Sequence, residues 1–177
     1  MVRGAPNPLH FGFSERLRRA RKAADLTHAS LANRSGSVSR TTTAALEAGE
    51  NVPRVDTVER LANALGISPG LLAFGLDGSS IPEAGLRCDG LPARLRAVRE
   101  ARGLSMRQLG QLANASVVLV RSTEIGASVP NLARLEALAK VLGVSPSWLA
   151  YAEGVIEWPS RRRTRSTERV SASERAE

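Results

Sequence analysis

Residues 26–53 read L-T-H-A-S-L-A-N-R-S-G-S-V-S-R-T-T-T-A-A-L-E-A-G-E-N-V-P, and residues 104–130 read L-S-M-R-Q-L-G-Q-L-A-N-A-S-V-V-L-V-R-S-T-E-I-G-A-S-V-P. The second stretch repeats the plan of the first. Glu47 stands six residues before Pro53, and Glu124 six before Pro130. Both stretches continue alike, as V-E-R-L-A-N-A-L-G-I-S-P-G-L-L from Val58 and L-E-A-L-A-K-V-L-G-V-S-P-S-W-L from Leu135. Glu47 is nineteen residues from Gly66, and Glu124 nineteen from Gly143. Similarity that stays in register so far marks a duplicated folding unit.

Working outward, apolar residues recur at helical spacing. Leu17, Ala20 and Ala24 share one stripe within a basic first segment. Thr27 is placed to cap a second helix that Gly36 breaks, and Ser39 to cap a third that Gly49 stops. Val55, Val58, Leu61, Ala62 and Leu65 lie on one face of a fourth, ended by Gly66. Ser68-Pro69 opens a fifth with proline at its first position. In the second copy the corresponding starts are a Ser105/Gln108 capping box, Ser116, Asn131 and Ser145-Pro146. The expected fold is all-α, with two tandem five-helix domains. Its expected divisions are a flexible arm (1–13), a first domain (14–75), a linker (76–91), a second, divergent domain (92–153) and a disordered basic tail (159–177). The tail is almost free of apolar residues. Fully extended, the sixteen residues of this linker would reach about 53 Å.

Two short helices separated by a tight break, within five helices, are the plan of a helix-turn-helix. At this point the residues resemble a family. L-T-x-x-x-L-A, a Gly-containing turn, S-R-T-T-T-A-A-L-E-A-G-E and T-V-x-x-L-A-x-A-L-G-I-S are similar to the phage-repressor-like, Cro/CI-type (xenobiotic-response-element, or XRE) regulators. The likeness covers about 60 residues twice. It implies a lambda-repressor-like fold and sequence-specific binding of double-stranded DNA. It also implies that the third helix enters the major groove with its N-terminal residues on base edges.

That resemblance nominates Ser39, Arg40, Thr41, Thr42 and Thr43 as the base-reading stretch. Arg40 suits guanine O6 and N7, and threonines suit phosphate or a thymine methyl. Thr27 and His28 open the second helix, whose free N–H groups favour a phosphate. His28 stands where the family often has Gln. Asn51 and Arg54 are candidate backbone clamps. The matching residues of the second copy are Ser116, Val117, Val118, Leu119 and then Val120, the position the family buries. Three adjacent apolar residues on an exposed helix suggest a protein-facing surface. Met106 points the same way, while Arg107 and Arg121 remain able to hold phosphates. Leu31 to Glu47 spans sixteen residues against fifteen from Leu109 to Glu124, so the first turn carries one extra residue near Gly36-Ser37.

Composition agrees with a polyanionic partner. The 177 residues carry a net charge of +8, with +3 on residues 15–75, +5 on 92–150 and +3 on 159–177. A single cysteine, Cys88, excludes an intramolecular disulfide and reads as an exposed thiol in a reducing compartment. No run approaches the roughly 20 apolar residues of a membrane span, and the N-terminal stretch has no signal-peptide pattern. His10 and His28 lack neighbouring ligands, so neither metal nor cofactor is expected. Glu47 and Glu124 are better read as partners of an arginine within their own domains than as catalytic carboxylates. No nucleophile–base constellation or phosphate loop appears, and an enzyme is not expected.

The reading is therefore a cytoplasmic, nucleoid-associated regulator of bacterial or phage type, a repressor, binding duplex DNA through the first domain. The second domain would serve dimerisation or an auxiliary DNA contact. The alternative is an antitoxin-like or adaptor module that keeps the fold and binds a protein partner through Val117, Val118 and Leu119.

Overall fold

The computed structural model describes residues 8–76 and 87–157. The basic tail of 159–177 lies outside them. The described residues form ten α-helices and no strand. The first copy contains α1 (Phe13–Ala23), α2 (His28–Ser35), α3 (Arg40–Ala48), α4 (Val55–Leu65) and α5 (Pro69–Phe74). The second contains α6 (Leu91–Ala101), α7 (Met106–Leu112), α8 (Val117–Glu124), α9 (Leu132–Leu142) and α10 (Pro146–Tyr151).

The boundaries follow the capping residues. The side chains of Thr27, Ser39, Ser68, Ser105, Ser116, Asn131 and Ser145 each accept a backbone N–H of the first turn. Ser105 and Gln108 form the reciprocal capping box. Each cap satisfies a donor that the helix leaves unpaired, worth about 1 kcal/mol. Gly36, Gly49 and Gly66 end their helices in the left-handed conformation, which costs glycine no steric penalty.

The extra residue of the first turn has a steric counterpart. Gly110, inside α7, is overlain by the short turn to α8: a Cβ there would meet the Ala115 carbonyl oxygen at 2.8 Å. The matching residue of α2 is Ala32, whose methyl is accommodated under the longer turn. In an ordinary helix interior Gly→Ala gains about 1 kcal/mol. Here the obstacle is backbone, so Gly110→Ala is expected to destabilise the chain by about 1–3 kcal/mol. Urea denaturation checks this, and a gain in stability would refute the steric account.

Two short segments differ from expectation. Leu9–Gly12, within the expected arm, is a 3-10 turn, and Phe13 after it is buried in α1. Arg87–Gly90, within the expected linker, is a second 3-10 turn leading directly into α6. Cys88 is buried, not exposed. Its backbone N–H donates to Glu59 Oε2 at 2.9 Å. Burial, reinforced by Glu59, pushes its thiol well above the usual range. Cys88 is thus a packing residue, which the charged and glycine-rich sequence around it disguises.

Both turns are held by the opposite copy. Leu9 N and His10 N donate to Glu136 of α9 at 2.7 and 3.2 Å, and His10 Nδ1 lies 2.6 Å from Glu136 Oε2. Cys88 N reaches Glu59 of α4, the counterpart of Glu136. Val55 N donates to Pro130 O at 3.1 Å, and Leu132 N to Pro53 O at 2.9 Å. α5 packs on α10, and one hydrophobic core runs from Phe13 and Leu17 of the first copy to Leu149 and Tyr151 of the second. The second copy therefore packs on the first.

Candidate nucleic-acid interface

The helix-turn-helix of the first copy is α2, the turn Gly36–Ser39 and α3. Leu31 and Ala32 bury the inner face of α2, Val38 plugs the turn, and Leu46 anchors α3. A second anchor is ionic. Glu47, in the last turn of α3, accepts Arg21 Nε at 2.6 Å and Nη2 at 2.8 Å. Burial pushes the Glu47 carboxyl up, but the Arg21 hydrogen bonds and the nearby His28 outweigh it and hold it below its ordinary value. In the second copy Arg99 grips Glu124 in the same bidentate way. The expectation that these glutamates serve arginines inside their domains is met, and Arg21 is a structural residue.

Arg40, Thr41 and Thr42 project from the solvent side of the first turn of α3. Ser39 Oγ caps Thr42 N at 3.0 Å and lies 2.8 Å from Thr42 Oγ1. Arg40 makes no ion pair among the described residues. Thr43 departs from the sequence reading: it is 0% exposed, and its hydroxyl donates to Ser39 O at 3.0 Å. It occupies the register position of Val120, which is equally buried. Threonine has the shape of valine and returns its hydroxyl to the preceding helical turn, so it sits in the core and cannot read a base.

His28 is also placed otherwise. Its Nε2 lies 3.1 Å from Glu47 Oε2, an ion-pair distance out of hydrogen-bond alignment. The imidazole is half-buried and turned toward the Arg21–Glu47 pair rather than outward. Thr27 stays exposed, with its hydroxyl accepting Ser30 N at 3.1 Å. Asn51 is exposed. Arg54 is exposed too, its Nε 3.3 Å from Asp56 Oδ1, between two residues whose backbones bond the second copy.

In the second copy, Val117 and Val118 are 44% and 70% exposed, Leu119 is half-buried and Val120 is in the core. Ser116 caps Leu119 N at 3.1 Å. Arg107 and Arg121 are exposed. Met106 stands at the register position of His28, half-buried and packed against the core, so it contributes little to an outward-facing surface. Leu112 and Ile125 are also exposed.

The helix-turn-helix domain model matches residues 13–74 and again residues 91–152. The chain belongs to the helix-turn-helix domain family. Searches of curated proteins and of solved structures give no match. Two helix-turn-helix domains in tandem point to DNA binding and regulation. Among the described residues no cluster of His, Cys, Asp and Glu is built to hold a metal. No helix among them is long and apolar enough to cross a membrane.

Sequence reasoning about this helix-turn-helix chain missed the residues that join its copies. Glu59 and Glu136 are buried acids 77 residues apart, each inside an otherwise apolar helical face. Arg16 and Arg94 are also matched. Each donates to the last carbonyls of the fifth helix in its copy, Leu72 O and Ala73 O or Leu149 O and Ala150 O. The signal was charge identity at equivalent positions of the repeat.

Proposed function

We propose that the chain is a sequence-specific double-stranded DNA-binding transcription regulator of Cro/CI type, acting as a repressor in the cytoplasm, with α3 as its base-reading helix. The observation that carries this reading is the outward row Ser39, Arg40, Thr41 and Thr42 on a helix whose opposite face is pinned by Leu46 and Glu47. A recognition helix needs outward polar side chains on a rigid mount, and Arg40, which makes no ion pair among the described residues, supplies the fork geometry for guanine. Thr27, Asn51 and Arg54 are proposed to hold the phosphate backbone, which fixes register without reading sequence. Thr43 and His28 are not part of this interface.

Arg40→Ala is expected to cost about 1–3 kcal/mol of specific binding and to relax preference at one base position. Selection of bound sequences from random duplex DNA, with the full chain and with the variant, reads both effects. An unchanged preference would remove Arg40 from the base-reading role. The exposed Val117 and Val118 favour a second reading, an adaptor or antitoxin-like module that grips a protein partner through α8.

A further inference from the structure

The junction between the copies is reciprocal. Residues before the helix-turn-helix break correspond at a spacing of 78, and residues after it at 77. With that correspondence, Pro53 matches Pro130 and Val55 matches Leu132. The bonds Val55 N to Pro130 O and Leu132 N to Pro53 O are then the same bond made twice. Glu59 holding the turn at Cys88 and Glu136 holding the turn at Leu9 and His10 are likewise one contact made twice. α5 packs on α10, its own counterpart. A surface on which residue i meets j′ and j meets i′ is an isologous interface, the kind that joins subunits across a two-fold axis. Here both partners lie in one chain.

Pseudo-two-fold symmetry makes α3 and α8 mates about the axis. Both lead directly into it: Pro53 follows the end of α3 by five residues and Pro130 follows the end of α8 by six. At roughly 3.3–3.6 Å per residue, plus about 5 Å across the paired backbones at Arg54 and Asn131, these connections bound the separation of the helix ends at about 50 Å. Half-sites on successive turns of DNA are about 34 Å apart. The face that would recruit a second subunit, α5 with its neighbouring turns, is already covered by α10 and Glu136.

The two mates carry unlike chemistry. α3 offers Arg40 and threonines, whereas α8 offers Val117 and Val118, with Arg107 and Arg121 exposed on the same helix-turn-helix. Among base edges in the major groove, the apolar group is the thymine methyl. The flanking arginines and the +5 charge of residues 92–150 suit a polyanion better than an apolar protein surface.

Building on the DNA-binding reading above, we infer that one chain occupies both halves of its operator as a covalently fused pseudo-dimer, with α8 reading thymine methyl groups in the half opposite α3. The operator is therefore asymmetric, with unlike halves about one helical turn apart.

The test begins with the full chain and a pool of random duplexes. Sedimentation of the selected complex is expected to show one chain per duplex. The selected sequence is expected to contain one guanine-bearing half and one thymine-bearing half. Deoxyuridine then replaces thymidine, which removes only the methyl group. In the thymine-bearing half each replacement is expected to weaken binding roughly fourfold, the loss of one buried carbon. The same replacement is expected to be silent in a chain carrying both Val117→Ser and Val118→Ser, whose fold is checked by circular dichroism. Two chains on a palindrome would overturn the inference while leaving the DNA-binding reading intact. So would wild-type binding that ignores deoxyuridine, or a penalty that persists when Val117→Ser and Val118→Ser are combined. Failure of the wild-type chain to select any sequence would overturn the DNA-binding reading itself.

Discussion

Glu124→Ala is expected to destabilise the chain by about 3–5 kcal/mol, the cost of leaving a buried charge without its partner. The side chains of Arg99 and Glu124 are 9% and 2% exposed, with Nε–Oε1 at 2.5 Å and Nη2–Oε2 at 2.8 Å. Arg99 Nη1 also donates to Leu104 O at 2.9 Å, so the guanidinium cannot swing into solvent without opening the link from α6 to α7. Truncating the buried carboxylate leaves the cation with only the exposed Glu100 carboxylate, 3.4 Å from its Nη2. Chemical denaturation measures the loss. Arg99→Ala combined with Glu124→Ala should cost less than the sum of the two singles, because the double variant strands nothing. Strict additivity would show that the pair is not coupled. The first-copy equivalent, Glu47→Ala, should cost a comparable amount, because Arg21 Nη1 is tethered to Leu26 O at 2.8 Å as Arg99 Nη1 is to Leu104 O.

Tyr151→Ala is the second large effect, at about 3–5 kcal/mol. Tyr151 is 0% exposed, and its hydroxyl donates to Val55 O of the other copy at 3.1 Å. The substitution opens a cavity where α10 meets the first copy and removes a donor that spans the junction. Tyr151→Phe keeps the ring and isolates the hydroxyl, for an expected loss near 1 kcal/mol. Because the core is continuous, the wild-type chain should unfold in one transition. Tyr151→Ala should broaden or split it, as the two copies lose the side chain that ties them. Equal effects of the Phe and Ala variants would place the stabilisation in the hydrogen bond instead of the packing.

Local grammar made much of this fold readable. Caps such as Ser39 and Ser116, stops such as Gly49 and Gly66, and the stripe Val55, Val58, Leu61 and Leu65 depend on neighbours within a turn or two, so sequence spacing reports them directly. Glu47 and Glu124 were readable as structural because each recurs with no catalytic company. The misplacements have a shared origin in tertiary contact. Cys88 sits among Arg87, Asp89 and Gly90, a neighbourhood that reads as solvent, yet Glu59 from the other copy takes its N–H. Thr43 looks polar in a polar run, yet its register is that of Val120. His28 looks like a helix-opening phosphate ligand, yet Glu47 is close enough to turn it inward. The junction itself was hidden, because nothing local marks Pro53 and Val55 as partners of Pro130 and Leu132.

The joined halves also escape a rule that binds ordinary homodimers. There, every substitution is made twice, so a residue suited to only one side of an interface is excluded. Here each side varies alone. Glu153 stands at the place of Leu76 and is fully buried, accepting Ser68 Oγ at 2.6 Å and Gly70 N at 2.8 Å from the first copy. Cys88 faces Glu59 where its counterpart His10 faces Glu136. A buried carboxylate duplicated by symmetry would put a second charge into the same small core, whereas one copy alone is matched by the donors around it. Fusion thus turns an interface that must be self-complementary into one that needs only to be complementary. Divergence is then open to each half independently, with the shared core as the constraint they still hold in common.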